Sequence, residues 1–263
     1  PAPRRGAFAH TSLGSAVHAA LRGWWYLPPE QRTPDVVASA VAEHWSDAGF
    51  ADSAMSLRWL QRAEHMVARY VGQENERWAV LQAAGIDQPR RVETALAVRP
   101  RDDLVLSGRP DRVDERLVPD DPDRTHLVVV DYKTSRRPPD AEAARTSRTL
   151  AIYAAAAEFV LRRPANRVEL HHLPTGHVAA WQHDVEARDR QVRRAVAVAD
   201  DIARAQQRAD DDPVDEVFPP STGPLCGWCD YRDSCPEGAA AAPAVAPWEA
   251  LEPASGASTN PDA

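Results

Sequence analysis

Lysine is almost absent from this chain: of 31 basic side chains, all but Lys133 are arginine. A coding preference for arginine and alanine, visible in the alanine-rich runs, accounts for the arginines and leaves the exception unexplained. An ammonium is a compact point charge, whereas a guanidinium is a planar fork that keeps its proton, so a site needing the first cannot take the second. The shortage of lysine therefore directs attention to Asp131-Tyr132-Lys133. Basic charge is also short overall, with a formal net charge of −8 and a pI near 5.6. That excludes a protein that coats nucleic acid through bulk charge and leaves room for a local basic face. No apolar run approaches the ~18 residues of a membrane span, and no charged-then-apolar leader opens the chain, so the expectation is a cytoplasmic protein with no membrane partner. No Gly-x-x-x-x-Gly-Lys-Ser/Thr stretch occurs, which excludes a P-loop ATPase. There are three cysteines, too few and too odd in number for a disulfide framework.

What is present is enough apolar material for a full core: 263 residues at 43% hydrophobic content predict one core with appendages. Leu13, Val17, Ala20, Leu21 and Trp24 recur at helical spacing and predict a helix over 12–25 that carries His18. Further helices are predicted over 34–48 and 52–84. Alternation of Val92, Thr94, Leu96 and Val98 predicts a strand over 91–99, followed by two short strands in 104–117 broken near Gly108 and Pro110. The run Leu127, Val128, Val129, Val130 is short and mostly β-branched, as in a strand buried on both faces, and it ends in Asp131-Tyr132-Lys133. A helix over 141–161, a hairpin of strands 167–173 and 177–184, and a charged helix over 186–209 follow. An acidic linker, 210–215, then leads to a small cysteine segment, 218–237. From Gly238 the composition turns to Ala, Pro, Gly and Ser and predicts a disordered tail, 238–263. This order of elements predicts an α/β fold with a central mixed sheet flanked by helices.

Side chains two apart on a strand share a face, so Asp131 and Lys133 are expected to face one cleft. Asp111, in Gly108-Arg109-Pro110-Asp111-Arg112, sits where an adjacent strand would bring it beside Asp131. Paired carboxylates suit a hard divalent cation such as Mg²⁺, which takes oxygen ligands and a substrate phosphate, and a nearby ammonium would stabilise the phosphoryl transition state. The plain alternatives are an exposed ion pair for Asp131 and Lys133, a turn cap for Asp111 and a core role for Tyr153. Arg136, Arg137, Arg145 and Arg148 follow the lysine, either as phosphate contacts or as solvated charges.

In these positions the chain resembles the PD-(D/E)XK nucleases, and within them the RecB-like exonucleases and their CRISPR-associated relatives. The likeness rests on five motifs in order: Gly14-x-x-x-His18, Gly108-x-x-Asp111-Arg112, Asp131-x-Lys133, Thr149-x-x-x-Tyr153 where the family has Gln-x-x-x-Tyr, and Cys226-x2-Cys229-x5-Cys235. The resemblance implies a restriction-endonuclease-like core within a nuclease domain over 1–237. Its parts are a helical part 12–84, a catalytic sheet core 90–209 and a metal-cluster segment 218–237. It also implies metal binding by His18, Asp111, Asp131 and the Tyr132 carbonyl, with Mg²⁺ or Mn²⁺ as cofactor. Asp111, Asp131, Lys133 and Tyr153 are implied at the reaction centre, and Arg136, Arg137 and Arg148 at the DNA. Glu93 falls where relatives often carry an acidic residue, without an assigned role. The implied activity is hydrolysis of DNA, single-stranded or from duplex ends, in repair or recombination, with any helicase on a separate chain. The replaced glutamine leaves a second reading, a nuclease fold that binds without cutting. A third reading, a structural protein built on the cysteine segment, leaves the ordered motifs unexplained.

In that family three C-terminal cysteines and one upstream of the histidine helix hold a 4Fe-4S cluster. Here Cys226, Cys229 and Cys235 match the three, and no cysteine precedes His18. The chain opens on Pro1 rather than Met, so the fourth thiolate is expected upstream, the alternative being an incomplete cluster. Zinc with a histidine ligand is the rival.

Overall fold

The computed structural model describes residues 6–118 and 121–252. Among these, the strands in chain order are β1 (Arg91–Val92), β2 (Leu96–Arg101), β3 (Leu104–Gly108), β4 (Arg112–Val118), β5 (Asp121–Lys133), β6 (Arg167–His172) and β7 (His177–Gln182). Five of them form one sheet in the order β1-β4-β5-β6-β7, while β2 and β3 pair separately. Only β5 and β6 run parallel, which requires a crossover. The helices are α1 (Ala9–Trp25), α2 (Pro34–Glu43), α3 (Ser53–Ala83), α4 (Ala141–Thr146), α5 (Arg148–Leu161), α6 (Val185–Arg208), α7 (Val214–Val217) and α8 (Pro236–Ala241). The fold is therefore the α/β arrangement expected, a mixed sheet flanked by helices and consistent with a restriction-endonuclease-like core.

The apolar run explains why the sheet is covered on both sides. Val128, Val130 and Tyr132 pack with α1, α2 and α3 in one core, and Leu127 and Val129 pack with α5 and β6 in a second. All four residues from Leu127 to Val130 are fully buried. Alternate side chains feed opposite cores because the strand period is two.

Caps set several helix starts: Thr33 accepts from the Val36 amide before Pro34, and Asp52 accepts from the Met55 amide at 2.6 Å. Four expectations need correction. The helix expected over 141–161 is two helices, because Ser147 leaves helical backbone and its side chain caps α5 through the Leu150 amide at 3.2 Å. The strand expected over 91–99 breaks at Glu93, whose φ is 44°. The tail expected to be disordered from Gly238 is ordered to Glu252: α8 is followed by a 3-10 turn at Glu249–Leu251, Leu251 is buried beside α1, and the Ala9 amide donates to the Pro247 carbonyl at 3.0 Å. The apolar side chains Trp248 and Leu251 fill the space at the start of α1, which composition alone conceals. Residues 253–263 of that expected tail lie outside the described residues.

The helix expected over 34–48 ends at Glu43, and the chain turns back through Gly49 at φ +89°. A Cβ there would collide with the backbone of Ala7 to Ala9 as well as strain the left-handed turn. Gly49→Ala is expected to lower stability by roughly 1–3 kcal/mol or more, read as a drop in thermal midpoint.

Candidate active site

The site forms where β4 and β5 end. Their antiparallel register pairs Arg112 with Val130, so one step further along the same register sets Asp111 opposite Asp131. Pro110 stops the pairing on the β4 side, since it has no amide to donate. Asp111, buried, accepts the Tyr132 amide at its Oδ2 at 2.6 Å. Its Oδ1 lies 3.3 Å from His18 Nδ1, brought by α1. Glu93 Oε1 lies 3.4 Å from the same nitrogen.

His18, Glu93 and Asp111 each offer a ligand atom, and these atoms lie within 4.8 Å of one another. One imidazole nitrogen and two carboxylates make a donor set suited to Mg²⁺ or Mn²⁺, so the residues present fit such an ion. Without a cation the set holds a proton. Burial disfavours the His18 imidazolium, but the Asp111 and Glu93 carboxylates more than reverse this and raise its pKa from 6.5 to about 10.

Asp131 stands beside this set, and its Oδ2 meets Lys133 Nζ at 2.5 Å. That oxygen is buried and has no hydrogen bond of good geometry, so the ammonium is its main compensation. Burial and then the Asp111 charge push the Asp131 carboxyl above its usual range, with Lys133 opposing them. Two carboxylates at neighbouring strand ends repel, and a cation between them would relieve that repulsion.

The Tyr132 ring points the other way, buried in the core, where its hydroxyl accepts from Trp25 Nε1 at 3.0 Å. Tyr153 lies over Gly108, where any Cβ would collide with its ring. Burial raises its phenol pKa, and the Asp131 and Asp111 charges add to this. Thr149, in place of the family's glutamine, is exposed in the first turn of α5. Arg136, Arg137 and Arg148 are all exposed. Arg136 donates to the Glu252 carbonyl, and Arg145 is paired with Glu142 and stacked on Trp181.

Sequence reasoning assigned no role to Glu93. Its signs in the sequence are its place on the polar side of the 92–98 alternation and the acidic residue that the family resemblance puts there. The positive φ that turns its side chain toward His18, with its amide held by the Asp111 carbonyl at 2.9 Å, is a tertiary feature.

The three cysteines are free and half-buried. The Gly223 and Gly238 amides point at the sulfurs of Cys226 and Cys235 at 3.4 and 3.3 Å. Both sulfurs lie over Gly238, where a Cβ would stand 3.7 and 3.2 Å from them. Phe8 and His10, at the entry to α1, face Trp228 with ring centroids 5.2 and 5.6 Å apart.

Beneath the site is a network of buried charge. Arg112 contacts Glu74 at 2.7 Å and Asp114 at 2.8 Å, and Arg116 bridges Asp114 to Glu169. Glu169 is held by His171 at 2.9 Å, and His171 by the Tyr70 hydroxyl at 2.7 Å. None of the described helices is long and apolar enough to cross a membrane.

No curated protein matches this sequence significantly. The model of the PD-(D/E)XK nuclease superfamily, whose members are generally phosphodiester-cleaving nucleases that use Mg²⁺ or Mn²⁺, matches residues 2–236. That span takes in the histidine helix, both carboxylate-bearing strand ends and all three cysteines, and the chain belongs to the PD-(D/E)XK nuclease superfamily.

Proposed function

We propose that this chain is a divalent-cation-dependent deoxyribonuclease of the RecB-like branch, acting as an exonuclease in DNA repair or recombination. The observation that carries this reading is the convergence of His18, Glu93 and Asp111 beside the Asp131–Lys133 pair. His18, Asp111 and Glu93 would hold the cation, with Asp131 at its edge. The Tyr132 carbonyl is a further candidate ligand, because a strand residue's carbonyl and amide share an edge and the Tyr132 amide already faces Asp111. The cation supplies neutralisation of phosphate charge and activation of water. Lys133 supplies a point charge for the charge developing on the phosphoryl oxygens, and its Asp131 partner fixes where that charge sits. Tyr153, over Gly108, borders the space a substrate phosphate would enter, and Arg136, Arg137 and Arg148 would hold neighbouring phosphates.

The cysteine segment is read as a 4Fe-4S site to which Cys226, Cys229 and Cys235 give three thiolates, the fourth cysteine being absent from this chain, with zinc as the alternative. What supports this is the pair of amides directed at the sulfurs of Cys226 and Cys235, both of which lie over Gly238, with Phe8 and His10 seated on the intervening Trp228. Visible absorbance of anaerobically purified protein, lost on Cys229→Ser, is its check. DNA strands are the expected partner, with a separate helicase supplying them.

The test is degradation of single-stranded and linear duplex DNA with Mg²⁺ or Mn²⁺. Cleavage is expected with either ion and none with EDTA. Glu93→Gln and His18→Ala are expected to raise the Mn²⁺ concentration needed for half-maximal cleavage tenfold or more. DNA binding without cleavage under any divalent ion favours the non-cutting reading that the exposed Thr149 raised.

A further inference from the structure

The end of β5 also borders a groove on the α3 side of the sheet, of which the reaction above uses only Lys133 and Arg136. Two adjoining cavities of about 450 and about 280 Å³ share Leu13, Trp59, Thr134 and Pro174. The larger has Lys133 in its wall, and the smaller runs on along α3 to Arg62 and Arg69. The Arg62 guanidinium stacks on the half-buried Trp59 ring, 4.9 Å from its centroid. Arg69 donates to the Pro174 carbonyl and Arg136 to the Glu252 carbonyl, so neither hydrogen bond cancels the charge. No aspartate or glutamate lines either cavity, whereas Lys133, Arg136, Arg62 and Arg69 all do. On a chain of net charge −8, that makes the groove a local concentration of positive potential.

We propose that this groove binds an unpaired nucleic-acid strand, with phosphates along Arg62, Arg69 and Arg136 and one base stacked on Trp59 in the place that the Arg62 guanidinium takes in the free protein, and that it leads that strand to or from Lys133. Cations alone would suit any polyanion. An aromatic face set among them suits a base whose own faces are free. A paired base inside a duplex has both faces covered by its neighbours, and only its edges reach the grooves. The groove thus selects single strands, which deepens the nuclease reading and rests on it for the role of Lys133.

The test is fluorescence anisotropy of a labelled single-stranded oligonucleotide and of its duplex, with Ca²⁺ in place of Mg²⁺. Wild type is expected to bind the single strand more tightly. Arg62→Glu/Arg69→Glu, at two exposed positions, is expected to weaken single-strand binding at least tenfold. The same pair should flatten its log–log salt dependence by about 0.7 for each phosphate that the variant no longer neutralises. Trp59→Ala is expected to cost on the order of tenfold, the loss of one base–aromatic stack, with duplex binding changed far less. If Trp59→Ala melts early, the arginine pair decides. Single-strand affinity within twofold of wild type in the arginine pair, an equal loss for duplex, or competition by polyglutamate as effective as by oligonucleotide overturns the groove. A protein that cuts DNA but shows no such weakening refutes the groove alone. One that binds single strands through it without cutting refutes the nuclease reading alone.

Discussion

Asp131→Asn and Lys133→Ala are expected to cut DNA at least two orders of magnitude more slowly than wild type while still binding it, as measured by single-turnover cleavage with Mg²⁺. Removing one preorganised group aimed at transition-state charge costs about 10²–10³ in rate. Lys133→Arg is expected to restore little, because the fork is broader than an ammonium and its charge is spread over a plane. The stability readout runs the other way for the aspartate. Burial and the Asp111 charge raise the Asp131 carboxyl above its usual range, so its ionised form is disfavoured in the folded chain. A group with a raised carboxyl pKa loses folded-state stability as pH rises past its unfolded value. Asp131→Asn, neutral and nearly isosteric, is therefore expected to melt at or above the wild-type temperature at neutral pH without divalent ions. Activity lost with stability kept or gained is the mark of a site strained for function. Cleavage within tenfold of wild type in both variants would remove Asp131 and Lys133 from the reaction centre.

Arg112→Met is expected to give the largest stability loss, ~3–5 kcal/mol, since taking the central cation from a buried ion network leaves Asp114 with Arg116 alone and Glu74 with Arg77 alone. Arg112 is 0% exposed, and its partners Glu74 and Asp114 are 1% and 0% exposed, so neither carboxylate can turn to water. The guanidinium also lies over the Trp25 ring, 4.6 Å from its centroid. For a domain of this size the loss corresponds to a drop of roughly 6–20 °C in thermal midpoint. The double variant Arg112→Met/Glu74→Gln is expected to recover part of it, because one stranded charge is removed with its partner.

The network also sets an acid limit. Burial opposes ionisation of Glu74, but the Arg112 charge outweighs it and lowers the carboxyl from 4.5 to about 2. Its contribution is therefore fully present above pH 4.5 and is lost as pH falls toward 2. Glu74→Gln is expected to flatten the stability profile in that window. A profile as steep as wild type would mean that other carboxylates, such as Glu169, carry the acid sensitivity. Because Arg112 follows Asp111 directly and reaches the Tyr132 hydroxyl at 3.4 Å, the same network clamps the two strand ends that carry the site.

The elements legible in the sequence were those with a period. The strand Leu127 to Val130, the shared face of Asp131 and Lys133, and the helices expected over 12–25 and 52–84 follow from alternation or from helical spacing within one segment. Their ends were less legible: Ser147 splits what reads as one helix, and Trp248 and Leu251 dock a tail whose composition reads as disorder. In each case the outcome turns on one or two side chains finding a partner, which composition averaged over a window does not register.

By itself the sequence determined that one ammonium and a carboxylate share the end of a buried strand, and that a helix carries His18. Periodicity within a single element suffices for both. Only the tertiary structure decided which groups meet. His18 and Glu93 are 75 residues apart and come within 3.4 Å through one positive φ, and the acid-free groove beside Lys133 is assembled from α1, α3, the end of β5 and the C-terminal turn. Such convergence depends on how packed elements cross and on single backbone torsions, and neither leaves a repeating mark in the order of residues.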